Sequence, residues 1–181
     1  HHSKEIEDVK TSTLKLVRAR LPSLILGLMG GLFAAYIVTG FDEVISSYLV
    51  LASFIPVIIY LSDAVGTQSE TLIVRMIALR PDFSITKYML RELRIGGVLG
   101  VIFGILLFIA ATVGWGETNL AVSIALSMFI SIILQAFIAT YISALLYRFG
   151  VDPGVASGPL TTIISDITSL TLYFVIAVVL L

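Results

Sequence analysis

Five long apolar stretches constrain this 181-residue chain more than any other feature of its sequence. A helix needs about 20 apolar residues to cross the hydrocarbon core of a bilayer. Five stretches reach that length, at roughly 21–41, 48–78, 95–115, 120–147 and 159–181. They predict an all-α membrane protein with five transmembrane helices, because a spanning helix pairs all its backbone polar groups internally.

Composition narrows the chemistry that such a bundle can carry. The chain is 58% hydrophobic and only 13% charged, which lies outside the range of soluble domains. It has no cysteine, and its two histidines, His1 and His2, are interpreted as the remnant of a purification tag. Metals that prefer thiolate or imidazole therefore lack ligands, whereas hard cations that prefer oxygen do not. The net charge of −1 gives no indication of a nucleic-acid partner, and no organic cofactor is expected.

The distribution of basic residues predicts the orientation in a cell membrane. All eleven lie before the first span, around the linker at 79–94, or after the fourth span, while the opposite loops carry Asp42, Glu43 and Glu117. The positive-inside rule then places the N-terminus in the cytoplasm and the C-terminus outside. Residues 1–20 are expected to comprise the tag remnant and an amphipathic helix over 4–20, on the inner membrane surface or under the bundle. A solvated lead-in fits that segment equally well, and residues 21–181 form the predicted transport domain.

Small residues recur at four-residue intervals in three of the predicted spans. Such stripes let the backbones of neighbouring helices approach closely, which is how helices associate inside lipid. We expect them to pack helices, within one chain or between two copies, rather than to bind a ligand. The stripes are Gly27, Gly31 and Ala35; Gly96, Gly100 and Gly104; and Ser123, Ser127, Ser131 and Gln135.

Three carboxylates lie inside predicted spans, and no histidine, cysteine or intramembrane lysine accompanies them: Asp63, Glu70 and Asp166. A charged group at the bilayer centre costs about 3 kcal/mol or more, so such acids mark functional sites by default. Asp63 and Glu70 are seven residues apart and share a helix face at about 10 Å. Arg75 could pair with Glu70 at the interface, but it is too far along the helix to reach Asp63. The simplest source of a balancing positive charge is a cation that binds and leaves.

The fifth span supplies the central member of this acidic path. Asp166 lies seven residues beyond Pro159, about 10 Å into the helix, and Thr162 is one turn earlier on the same face. Magnesium is usually held by one or two carboxylates plus waters, which suits a wide path with acids at successive depths. Protonated acids hydrogen-bonded between helices remain an alternative. The supporting oxygens are Ser62, Thr67, Gln68 and Ser165, with Glu70 and Asp152 as attractors near the cytoplasmic mouth.

Two segments of the chain carry a resemblance to a known family. The second span has Pro56, Gly66, Gln68 and Arg75, and the fifth has the run Asp152-Pro153, Pro159, Thr162 and Asp166. In these residues the chain resembles the membrane domain of the MgtE-type divalent cation transporters, which are related to the eukaryotic solute-carrier magnesium transporters. The resemblance implies a homodimer with the ion path at its two-fold interface, lined by the second and fifth helices. It also implies that Asp166 and the Thr162 carbonyl hold magnesium in the pore.

The chain departs from the family pattern in two places. Bacterial members have Gly-Gly-Asn where this sequence has Ser62-Asp63-Ala64, which marks Asp63 as a second ligand or selectivity group with an effect on ion preference or coupling. The cytoplasmic magnesium-sensing domains of the bacterial channels have no counterpart in the sequence. Regulation is therefore expected from a separate polypeptide or from the N-terminal helix.

The sequence thus predicts a magnesium transporter or channel, not an enzyme, and leaves three alternatives open. A sodium- or proton-coupled exchanger would use the same residue types. A membrane phosphotransferase with an acid-bound metal would need further acids clustered with a nucleophile. A non-transporting assembly subunit would share the fold without conducting ions.

Overall fold

The computed structural model describes residues 12–80, 82–151 and 153–181, without the side chains of 153–156. These residues form six helices, of which all but α2 are long and apolar enough to cross a membrane. The predicted all-α fold with five spans is therefore confirmed. The helices are α1 (Thr13–Thr39), α2 (Asp42–Ser47), α3 (Val50–Leu79), α4 (Ile85–Trp115), α5 (Thr118–Arg148) and α6 (Pro153–Leu180).

Several helix boundaries differ from those expected from apolar length. Helix α1 begins at Thr13, so the described part of the expected amphipathic segment is continuous with the first span, while residues 1–11 lie outside the described residues. Helix α4 begins ten residues before the predicted start, because Ser84 caps its first turn by accepting a hydrogen bond from the Lys87 amide at 3.4 Å. The short helix α2 fills the link between the first two spans. Charged residues therefore extend the helices beyond their apolar segments.

Two glycines in the left-handed region allow the chain to reverse direction between long helices. Gly116 has φ 75° and ends α4, with its amide bonded to the Thr112 carbonyl at 3.0 Å. Gly150 has φ 72° and follows the last residue of α5. Glycine adopts this conformation without the steric penalty of a Cβ atom. The turns on both sides of α5 are short as a result.

Helix α5 lies at the centre of the bundle, packed against α3, α4 and α6. The glycine stripe of α4 brings that helix against it. A Cβ atom at Gly100 would lie 2.8 Å from the Phe129 carbonyl oxygen, and one at Gly104 would lie 3.1 Å from the Ala125 carbonyl oxygen. The expected packing role of this stripe is confirmed.

Helix α1 lies at the edge of the bundle, and α6 is its main neighbour. Ala34 is the buried residue of α1, and the contact with α6 includes Gly30 against Ile163. Gly27 and Gly31 have no atom within 4 Å of the position of a Cβ atom. Their stripe therefore faces open space in the described chain rather than a neighbouring helix.

Aromatic residues near the C-terminus of α6 join it to the start of α3. The Tyr173 hydroxyl donates a hydrogen bond to the Leu51 carbonyl at 2.8 Å, and both residues are fully buried. Phe174 stacks on Phe41 with ring centroids 5.1 Å apart. Tyr173 lies seven residues, about 10 Å, beyond Asp166 on α6. The hydrogen bond from Tyr173 holds α6 beside α3. These two helices carry the three carboxylates of the predicted spans.

Candidate cation path

The two acids deepest in the predicted path, Asp63 and Asp166, lie on neighbouring helices. Both are half-buried, and their carboxylates are close enough for the charge of Asp63 to act on Asp166. Helices α3 and α6 are antiparallel, so residues further along α3 lie beside residues nearer the start of α6. Two like charges at one level repel each other unless a cation lies near them. The pair therefore forms an electronegative point on the α3–α6 face.

Asp166 and Thr162 line a groove of about 330 Å³ between α6 and α1. The opposite wall is formed by the glycines of α1, including Gly27 and Gly31. Thr162 is exposed, and Asp166 lies one helical turn further along the same face. The groove therefore gives a carboxylate and a hydroxyl access to one open space, as the spacing of these residues predicts.

Glu70 contacts the first turns of α6 rather than Arg75. Its Oε1 atom accepts a hydrogen bond from the Ser157 hydroxyl at 2.5 Å, and Gly158 lies beside the same oxygen. Ser157 is fully buried, whereas Arg75 is exposed. In the described part of the chain no ion pair joins Glu70 to Arg75. Glu70 thus links α3 to α6 at a point seven residues further along α3 than Asp63, nearer the C-terminal end of that helix.

The remaining predicted oxygens divide into two groups. Thr67 and Gln68 are exposed on α3, and Thr67, three residues before Glu70, shares a helix face with it. Ser62 and Ser165 are each 1% exposed, so they contact the protein interior and are not open to an ion path. Asp152 lies outside the described residues.

One buried acid, Glu92 of α4, is absent from the sequence-based candidates. Its side chain is 2% exposed, and its Oε2 atom accepts a hydrogen bond from Ser69 Oγ at 3.0 Å. Glu92 falls within the predicted linker at 79–94, outside the predicted spans. The signal that could have found it is its spacing, because Glu92 is four residues before Gly96 and continues the stripe that packs against α5.

These acids are spread along the helices rather than gathered into one centre. Within residues 12–80, 82–151 and 153–181, no group of three or more acidic side chains comes close enough to hold a metal ion. The described residues therefore offer at most a pair of carboxylates at one level. Such a pair suits a cation that keeps several waters, as magnesium does.

Comparison with known proteins finds a family whose sequence model matches about two thirds of this chain. The family MgtE, described as divalent cation transporter, matches residues 55–176, which contain the acids of α3, α4 and α6. The magnesium transporter MgtE of Bacillus subtilis is 33% identical over 175 residues, covering 94% of this chain and 39% of that protein. The magnesium transporter MgtE of Enterococcus faecalis is 33% identical over 175 residues, covering 96% of this chain and 39% of that protein.

A third relative gives the same result at slightly lower identity. The magnesium transporter MgtE of Thermus thermophilus is 31% identical over 167 residues, covering 90% of this chain and 36% of that protein. The chain therefore spans less than two fifths of the length of the relatives that it matches.

Proposed function

Because the chain belongs to the MgtE family of divalent cation transporters, a class of integral membrane proteins, we propose that it moves magnesium along the α3–α6 face. Asp166 is the central ligand, aided by Thr162. Asp63 is the second ligand or selectivity group. Glu70 and Asp152 attract the ion near the end that carries the basic residues, and Gln68 is a supporting oxygen.

The observation that carries this proposal is the charge proximity of Asp63 and Asp166 beside an open groove. A cation between or near two carboxylates removes their repulsion, and its waters can bond to exposed oxygens such as that of Thr162. The ion would stay largely hydrated, because one protomer supplies too few ligands to replace six waters. Passage then requires little dehydration.

The open side of α1 and α6 supports a homodimer as part of the same proposal. Gly27 and Gly31 face the groove without a neighbour in the described chain, and small residues at this spacing typically contact another helix. A second copy would double the number of acids around the path. The cytoplasmic N-terminus follows from the positive-inside rule applied to the basic ends of α3 and α4.

The direct test replaces Asp166 with asparagine, which keeps the shape and removes the charge. Purified Asp166→Asn protein in liposomes that contain a magnesium indicator should show no magnesium uptake while it retains the size of the wild-type assembly. Glu117→Gln, an exposed acid in the opposite loop, is the matched control and should transport normally. Unchanged uptake by Asp166→Asn would remove the central ligand from the proposal.

The same liposomes separate passive from coupled transport and test the alternative classes. Uptake driven by magnesium alone, with no sodium or proton gradient, argues against an obligatory exchanger. Uptake by the purified chain without any other protein excludes a non-transporting assembly subunit. Replacing Asp63 with asparagine should change the preference between magnesium and other divalent cations, because it restores an amide near the position where bacterial relatives carry one.

A further inference from the structure

Helices α3, α4 and α5 enclose a seam of polar side chains away from the α3–α6 face. Among the described residues, several buried side-chain oxygens and nitrogens in this seam have no hydrogen-bond partner. A buried polar group without a partner costs about 1–3 kcal/mol, so a seam of them favours a bound ligand or water. They belong to Ser62, Tyr88, Glu92, Ser131, Gln135 and Ser143.

Glu92 is the charged member of the seam. Its Oε2 atom is bonded to Ser69, but its Oε1 atom has no hydrogen-bond donor. The guanidinium of Arg91 lies 3.7 Å from Oε1, beyond hydrogen-bond distance, and its side chain is 57% exposed. Arg91 also lies over the Tyr88 ring, 5.1 Å from its centroid. The Tyr88 hydroxyl also lies close to the Glu92 carboxylate. Because solvent screens the charge of the exposed Arg91, these two neighbours compensate the buried carboxylate only in part.

Gln135 of α5 lies one turn away in the same seam. Its side chain packs against Gly66, where a Cβ atom would lie 2.6 Å from Nε2. Ser69, the partner of Glu92, is three residues beyond Gly66, about 4.5 Å along α3. The Gln135 amide is 1% exposed, and neither its oxygen nor its nitrogen has a partner. Three helices therefore place a carboxylate, a hydroxyl and an amide on adjacent turns of one buried interface.

The charge and size of this cluster select its ligand. One carboxylate balances one positive charge, whereas a divalent ion would leave an excess charge buried in the protein. Carboxylate, amide and hydroxyl oxygens are hard ligands that suit an alkali cation. Helices α4 and α5 approach closely, since a Cβ atom added at Gly96 would lie 3.2 Å from the Cβ atom of Ala136. This close approach favours a small ion. We propose that Glu92, Ser69 and Gln135 form a binding site for a small monovalent cation of the size of sodium, inside each protomer and separate from the magnesium path.

The test measures sodium binding to the purified full chain directly. Equilibrium binding of radioactive sodium, in choline chloride of constant ionic strength, should give one saturable site per chain. Sodium should also raise the midpoint of thermal unfolding, because it binds the folded state only. In Glu92→Gln the affinity should fall at least tenfold and the thermal shift should disappear. Ser69→Ala, a smaller change, should weaken binding in the same direction if Glu92→Gln does not fold.

Two controls separate this site from the magnesium path. Glu117→Gln should bind sodium as the wild type does, and Asp166→Asn should keep sodium binding even though its magnesium uptake is lost. The proposal is overturned if the wild-type chain binds no sodium, if Glu92→Gln binds it with unchanged affinity, or if potassium competes equally. It is also overturned if pH alone, in choline chloride, reproduces the Glu92-dependent shift, because a proton would then be the occupant.

Discussion

Gly100 of α4 offers a sharp test of the packing that holds the bundle together. In the Gly100→Ala variant the new methyl carbon would lie 2.8 Å from the Phe129 carbonyl oxygen and 3.0 Å from its Cδ2 atom. The backbone oxygen cannot rotate away, so α4 and α5 must separate by roughly 0.6 Å to reach ordinary contact. Overpacking of this kind costs about 1–3 kcal/mol. The same helix supplies a matched control at Gly97, where no atom lies within 4 Å of the new methyl position.

The assay is reversible unfolding in mixed detergent micelles, with the free energy of unfolding as the measured quantity. Gly97→Ala should raise it by up to about 1 kcal/mol through helix propensity, and Gly100→Ala should lie about 1–3 kcal/mol below Gly97→Ala. Comparing two identical substitutions on one helix removes the effect of helix propensity. Equal free energies for the two variants would refute the argument that α4 and α5 approach closely because Gly100 lacks a side chain.

Two further predictions concern the path and the anchor of α6. Because the chain has no cysteine, single cysteines report accessibility, and Thr162→Cys should react with a water-soluble thiol reagent far faster than Ser165→Cys, which is buried. Magnesium should slow only the first reaction, and equal rates would contradict the orientation of α6. Tyr173→Phe removes the hydrogen bond to Leu51 and should lower the free energy of unfolding by about 1 kcal/mol. The exposed Tyr36 gives the control, since Tyr36→Phe should have no measurable effect.

The sequence predicted the fold class and the family because apolar length and a few motif residues carry that information locally. It placed Asp166 and Thr162 on one face correctly, since helical spacing alone decides which residues share a face. It missed Glu92, because burial depends on what packs against a helix and Glu92 falls within the predicted linker. It also left Glu70 between two roles, and the Ser157 contact comes from a segment 87 residues away that no local pattern can reveal. The α1 glycines show the reverse case, in which a packing motif has no partner in the described chain.

The lengths of the helices have a consequence for where ions first meet the protein. Helices α4 and α5 contain 31 residues each, which corresponds to about 46 Å of helix. The hydrocarbon core is about 30 Å thick, so roughly 16 Å of each helix extends past it unless the helices tilt strongly. The charged residues of α3 and α4 lie at one end of the bundle, and the excess length belongs there. This end therefore forms a protein collar in the headgroup layer, built from the spans themselves. On the proposed path, hydrated cations would meet this collar and Glu70 before they reach the lipid-enclosed part of the protein.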